Sequence, residues 1–256
     1  MHTIDPICFQ IGNRPIYWFG IWMAIAFLAG MIHWSLLARK QGRPSTTAGD
    51  LALWLMLGGI LGARIAYVLA NLDYYLQTPR EIFRIDQGGL VFYGGFIGAV
   101  AALALLAFRK GESFLSLADF SVSALPLGHV FGRIGCFMNG CCHGADVKSP
   151  SLFTAGLTQY PVQLYEAAFN LAVYGFLLAT TLRRDAHKIP HGTLLALYLI
   201  LYPAGRFLLE FLRGDERLLM GGLHVAQYTS LVLMLCGIAF WTLLLRRHAR
   251  NPARSS

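Results

Sequence analysis

Apolar positions fall along this chain in long, nearly unbroken runs. They show neither the alternation of a half-buried strand nor the one-sided stripe of a surface helix. Runs of about 18–22 residues recur, each long enough as a helix to cross the roughly 30 Å hydrocarbon core of a bilayer. They lie near 17–37, 51–71, 90–108, 117–137, 163–182, 192–212 and 224–245. The pattern predicts an all-α integral membrane protein of about seven transmembrane helices. The fourth run is the least regular, because it passes into a glycine-rich stretch. Between the second and third runs, residues 71–87 are polar and aromatic, with Tyr74, Tyr75 and Phe83. That segment reads equally as an interfacial arm or a plain connection.

Composition sharpens this picture. The chain has 256 residues, 56% hydrophobic and only 13% charged, against about 25% charged in an ordinary soluble domain. One compact transmembrane domain over 1–256 is expected. The formal charge of +8 reads as positive-inside bias and attraction to anionic lipid. No nucleic-acid partner is expected, and the basic Arg246–Arg254 end reads as a topogenic anchor. The connections after runs one, three, five and seven hold Arg39, Lys40, Arg43, Arg109, Lys110, Arg183, Arg184, Lys188, Arg246, Arg247, Arg250 and Arg254, which is twelve cations. The opposite side holds Arg14, Arg80, Arg84, Lys148, Arg213 and Arg217, which is six. The richer side should be cytoplasmic, so the N-terminus lies outside and the C-terminus in the cytoplasm. Only Arg14 precedes the first run, the reverse of a cleavable signal peptide.

Three arginines remain, Arg64, Arg133 and Arg206, each inside or at the end of a run. Each costs about 2.5–3.5 kcal/mol at mid-membrane. The acids available to pair with them are fewer: Glu210, Glu166 and Asp119. Three such arginines on separate helices point to a shared anion site short of its anion, and a lipid phosphate suits a guanidinium. The plainer reading has each arginine bonding helix-end carbonyls or snorkelling to the interface. The spacings Gly58-x-x-x-Gly62, Gly94-x-x-x-Gly98 and Gly128-x-x-x-Gly132 each suit close helix contact. Trp18, Trp22, Trp34 and Trp54 read as interfacial anchors or lipid-facing packing.

The densest polar stretch is His129 to Gly144, H-V-F-G-R-I-G-C-F-M-N-G-C-C-H-G. It gathers Arg133, His129, His143, Asn139 and the cysteines 136, 141 and 142 among glycines that permit close backbone approach. Ordered around it are Gly62-Ala-Arg64-Ile-Ala-Tyr67, Gly88-Gly89 with Tyr93-Gly94-Gly95-Phe96-Ile97-Gly98, Gly132-Arg133-Ile134-Gly135 with Asn139-Gly140 and Gly144, Tyr160-Pro161-Val162-Gln163-Leu164-Tyr165-Glu166, and Gly205-Arg206 with Glu210-Phe211-Leu212-Arg213. Together, from about residue 16 to 245, these runs resemble the prolipoprotein diacylglyceryl transferases of the bacterial cytoplasmic (inner) membrane.

The resemblance implies a multi-pass enzyme working without metal or cofactor at the outer leaflet. It would move diacylglyceryl from phosphatidylglycerol to the lipobox cysteine thiol of a preprolipoprotein, releasing glycerol phosphate. It carries Arg133 over as the arginine that holds the phosphatidylglycerol head group, Arg206 as a second essential arginine and Glu210 as its neighbour. Asn139, Gly144, Gln163, Tyr165 and Glu166 match motif positions, and Arg64 joins them as a substrate-binding candidate. This sequence departs from the family pattern in four places. Tyr93 stands for a histidine, Cys136 for an asparagine, Cys141 for an acid, and Phe19 for a tyrosine, with Tyr17 near.

These departures touch the base. Thiol alkylation needs a thiolate, hence proton removal, and a leaving phosphate needs cations in place. The candidate bases are Tyr93, His129 and His143. Tyrosine serves poorly unless its pKa near 10 is lowered by neighbouring arginines, and His129 is equally well read as a packed helix residue. The cysteines admit a metal or thiol-redox reading, since Cys/His sets bind zinc. Against it, Cys-x-x-Cys is absent and adjacent Cys141-Cys142 rarely point to one centre, so no metal is assigned. Cysteine as a small buried apolar residue is the plainer reading, above all for Cys8 and Cys236. A transporter or lipid-binding protein using the same arginines is the rival from another class.

Overall fold

A computed structural model describes residues 5–85, 88–147, 157–184, 189–214 and 219–250. In chain order they form β1 (Ile7–Ile11), β2 (Arg14–Tyr17), α1 (Trp18–Lys40), α2 (Thr47–Ala70) and α3 (Leu72–Gln77). After a 3-10 turn at Pro79–Phe83 come α4 (Phe92–Lys110), α5 (Phe114–Val122), α6 (Leu125–Met138), α7 (Val162–Leu182) and α8 (Thr193–Leu209). A further 3-10 turn (Glu210–Leu212), the two-residue strands β3 (Leu219–Met220) and β4 (Leu223–His224), and α9 (Val225–Arg250) complete the chain. Seven helical segments are long and apolar enough to cross a membrane, α5 and α6 together forming the fourth. Their outward faces carry residues such as Leu28, Phe108 and Leu235, all strongly exposed, as suits contact with lipid.

Two compact units can be distinguished, Met1–His33 with Asp119–Ser256, and Trp34–Ala118. In the Trp34–Ala118 unit, α2 and α4 meet through glycine. A Cβ on Gly58, Gly62, Gly94 or Gly98 would collide with the facing helix, its backbone included. Two of the three small-residue spacings therefore set this helix contact. The third does not. Nothing lies within 4 Å of a Cβ on Gly128, and Gly132 meets only the Met23 sulfur at 3.9 Å. The basic end of α4 is tied back by Lys110 to Asp50 (2.7 Å), by Arg109 over the Trp54 ring and by an Arg43–Glu112 ion pair. Residues 71–85 are not a plain connection, because they fold into α3 and the following 3-10 turn.

The fourth span is two helices rather than one. The chain breaks at Ser123 and Ala124, where the Ser123 hydroxyl donates to the Phe120 carbonyl (2.6 Å). Pro126 then sits in the first turn of α6, where its missing N–H costs nothing. Asp119 on α5 is fully buried. It accepts the backbone N–H groups of Gly192 (2.8 Å) and Leu195 (2.9 Å) and pairs with Arg184. Asp119 thus caps the N-terminus of α8, satisfying orphan donors and the helix dipole. It is not a counter-charge for the intramembrane arginines, as its sequence position had suggested. Pro203 interrupts the hydrogen-bond ladder of α8. Gly237 of α9 packs against Leu199 and Ile200 so closely that a Cβ would come within 2.9 Å of the isoleucine side chain. Val122, Val173, Leu177, Leu194 and Tyr198 form the buried apolar core of the larger unit.

Replacing Gly62 by leucine should force α2 from α4. We expect destabilisation of at least ~1–3 kcal/mol, read as earlier thermal unfolding in detergent, whereas Gly128→Leu should change little.

Candidate active site

Five charged side chains meet inside the larger unit. Glu166, in the second turn of α7, is 5% exposed and receives three arginines. Arg133 of α6 pairs with its Oε2 through Nε. Arg206 of α8 reaches its Oε1 at 3.1 Å and Arg213 at 3.3 Å. Glu210, whose side chain is wholly buried, forms an ion pair with Arg206 at 2.7 Å and faces Arg213 Nε at 3.9 Å. The helix geometry accounts for this. Arg206 and Glu210 stand one turn apart, and the 3-10 turn from Glu210 brings Arg213 back over the same site. Among the described residues, three guanidinium groups converge here with two carboxylates. Arg133 is the most open of the three, its side chain 23% exposed against 13% for Arg206 and 2% for Arg213.

Sequence reading missed Arg213, which it counted as a loop cation. Its position seven residues after Arg206 and three after Glu210 was the available signal, since those spacings return to one face of a helix. Gln163, one turn before Glu166, is also buried. Its amide donates to the Cys141 carbonyl (2.6 Å), and its Oε1 has no hydrogen-bond partner among the described residues. Tyr165 is half-buried beside them on α7.

Gly144 holds the site's loops together. Its N–H donates to the Tyr160 carbonyl (2.9 Å), the next N–H, of Ala145, to that of Leu212 (2.9 Å), and Gly144 bridges to Arg213 as an isolated strand pair. A Cβ here would lie 2.6 Å from Tyr160 and 2.7 Å from the Leu212 carbonyl. Only glycine lets the three segments lie this close. Asn139 caps the C-terminus of α6. It lines a groove of about 510 Å³ with Pro15, Ile16, Tyr17, Phe19 and Gly20.

The other candidates belong to the Trp34–Ala118 unit or are otherwise engaged. His129, one turn before Arg133, shares a hydrogen bond between Nδ1 and the Tyr198 hydroxyl (3.1 Å) and packs on the Tyr202 ring at 4.7 Å. Arg64 and Tyr93 belong to the Trp34–Ala118 unit. Arg64 donates to the carbonyls of Glu81 (2.6 Å), Ile82 (2.8 Å), Gly88 (3.0 Å) and Gly89 (3.1 Å) and lies near the Tyr67 and Tyr75 rings. These carbonyls account for four of its five N–H groups without any anion, as in the plainer of the two readings of the arginines. Tyr93, in the first turn of α4, is 68% exposed and packs edge-on against Phe92. Burial, and after it the neighbouring Cys142 and Cys136 thiols, push the Cys141 thiol up to about 12. It is therefore no ready nucleophile at neutral pH.

Comparison with known proteins bears on this arrangement. Residues 6–243 match the family model described as prolipoprotein diacylglyceryl transferase. Proteins named phosphatidylglycerol–prolipoprotein diacylglyceryl transferase from Bacillus cereus (strain B4264), Bacillus thuringiensis subsp. konkukian and Bacillus anthracis are each 37% identical over 250 residues. The alignments cover 93% of this chain and 91% of each relative.

Glu166→Gln should leave three arginines without their common carboxylate. We expect a loss of about 3–5 kcal/mol, the usual cost of breaking a buried pair, seen as a lowered unfolding midpoint. Glu210→Gln should lower the midpoint too, because it removes the charge that Arg206 faces at 2.7 Å.

Proposed function

The chain belongs to the prolipoprotein diacylglyceryl transferase family, and on that premise we propose that it transfers diacylglyceryl from phosphatidylglycerol to the lipobox cysteine thiol of preprolipoproteins, releasing glycerol phosphate. The observation that carries the reading is the convergence of Arg133, Arg206 and Arg213 on Glu166 inside a membrane protein, with Arg133 the most open of the three. A phosphodiester brings one negative charge to such a site.

The chemistry follows from charge. The lipobox thiolate attacks the glyceryl carbon, a C–S bond forms, and the C–O bond to phosphate breaks with its electron pair left on the phosphate oxygen. The thiolate charge is consumed as the phosphodiester becomes a monoester carrying about −1.5 to −2 at pH 7. Negative charge thus moves from sulfur to phosphate. Guanidinium groups already held in place stabilise that shift without reorganising. In this reading Arg133 binds the head group, Glu166 and Glu210 hold Arg206 and Arg213 in position, Asn139 faces polar parts of the substrate, and Gln163 positions the Cys141 carbonyl beside them. Gly144 and Tyr165 shape the same loops. Arg64 acts by holding the carbonyls of Glu81, Ile82, Gly88 and Gly89.

Proton removal falls to Tyr93 or His129. Single replacements separate them. The protein lies in the bacterial cytoplasmic membrane as one domain, N-terminus outside, in keeping with the twelve-to-six distribution of loop cations. Its partners are phosphatidylglycerol, the lipobox segment and the bilayer itself.

Purified protein given phosphatidylglycerol and a lipobox peptide should release glycerol phosphate only when the peptide retains its cysteine. Arg133→Ala should lower the rate about 10²–10³-fold, the usual cost of losing a donor to a developing anion. Tyr93→Phe at full rate would pass the base to His129. Anion flux with no lipidated peptide would sink the transferase reading in favour of transport.

A further inference from the structure

The thiols of Cys136, Cys141 and Cys142 lie together, their sulfur atoms all within 4.8 Å of one another and each half-buried. The fold explains two of them. Asn139 caps α6, and Gly140 follows in the left-handed region at φ +68. Its N–H donates to the Phe137 carbonyl (3.1 Å) and that of Cys141 to the Cys136 carbonyl (3.2 Å). This is the Schellman arrangement, which sets the side chains of Cys136 and Cys141 against each other. An apolar contact would satisfy it.

Cys142 is not required by that turn. It is the only non-glycine residue with positive φ among the described residues, at +63, a conformation a side chain adopts at a cost. The adopted backbone lets neighbouring side chains point the same way, and the Cys142 sulfur lies 3.5 Å from that of Cys141. This overcomes the objection that adjacent cysteines diverge. Sulfur atoms bound at about 2.3 Å to one ion stand roughly 3.8–4.0 Å apart, so the three sulfurs need to move little.

We propose that Cys136, Cys141 and Cys142 form a three-thiolate site for a soft divalent metal ion, outside the transfer chemistry. On binding, the three thiols release three protons to solvent and the filled site carries one net negative charge. Arg133 stands one turn before Cys136 on the same helix, where that charge is favoured. Gln163 holds the Cys141 carbonyl (2.6 Å) and anchors the loop to α7. A hard cation such as Mg²⁺ prefers oxygen ligands to three thiolates and is not expected to bind.

Cadmium is a suitable probe because thiolate-to-metal absorption reports its coordination directly. Reduced full-length protein in detergent should bind one equivalent with that absorption. One equivalent should protect Cys136, Cys141 and Cys142 from alkylation, while Cys8 and Cys236 remain reactive. Cys136→Ser, Cys141→Ser and Cys142→Ser should each weaken binding at least ~100-fold, since even outer partners of a metal are worth about 10–100-fold. Cys8→Ser and Cys236→Ser should bind as the parent does. The protection measurement needs no variant, so a misfolded mutant cannot decide the matter. Absence of equimolar binding by the reduced parent protein, or equal protection of Cys8 and Cys236, overturns the proposal.

Discussion

A carboxylate placed inside an apolar helix has to be neutralised where it stands, and in this protein Glu166 is neutralised three times over. Arg133, Arg206 and Arg213 converge on it from α6, from α8 and from the segment after α8. The desolvation cost of so many charges is large. It is offset only while all partners hold their places, so the surrounding packing is set by this cluster. Asp119 fixes the start of α8, while Gly144 lies tightly between the Tyr160 and Leu212 segments. Gly205 is likewise held flush against Phe169 of α7, where a Cβ would strike the ring. Each contact positions a member of the cluster or the backbone next to it.

This arrangement separates two kinds of buried arginine. Arg64 spends four N–H groups on main-chain carbonyls and so clamps a segment whose shape would otherwise leave those carbonyls unpaired. Its charge is solvated by dipoles. The other three arginines are paired with carboxylate charges. Under the proposed function this cluster would receive the phosphodiester, and removing Glu166 would release the guanidinium groups from their positions.

Much of the architecture was legible because a bilayer leaves few choices. Unbroken apolar runs of sufficient length must be helices, and all seven appear within a few residues of where the pattern puts them. The break between α5 and α6 was harder to see. Apolar periodicity continues across Ser123 and Ala124, and only Pro126 marks the new start. The short strands β1 to β4 lie outside the apolar runs, where no periodicity of sufficient length exists. Arg133, Arg206, Glu166 and Glu210 could be singled out from their cost in a membrane. Their mutual pairing could not be, because it depends on the relative rotation of three helices. The same limit misassigned Asp119, whose partner Arg184 lies 65 residues away, and hid Arg213 among loop cations.

Cysteine shows where local rules, read further, would have reached the structure. Asn139-Gly140 after an apolar run is a helix stop with glycine in the left-handed position. That stop places the third residue from the helix end against the second residue past the cap, which makes neighbours of Cys136 and Cys141. Counting ligand spacings along the chain, as Cys-x-x-Cys reasoning does, misses this, because the reversal is made by the turn rather than by the helix. Cys142 required a further step, since positive φ at a side-chain-bearing residue is not written in sequence. It arises because Gly144, two residues on, must enter its narrow slot beside Tyr160 and Leu212. The chain between the end of α6 and that slot has only Gly140 to His143 with which to change direction. Gly140 supplies one left-handed step, and Cys142 supplies the next. The constraint that completes the arginine site is therefore also the one that turns the third sulfur toward the other two.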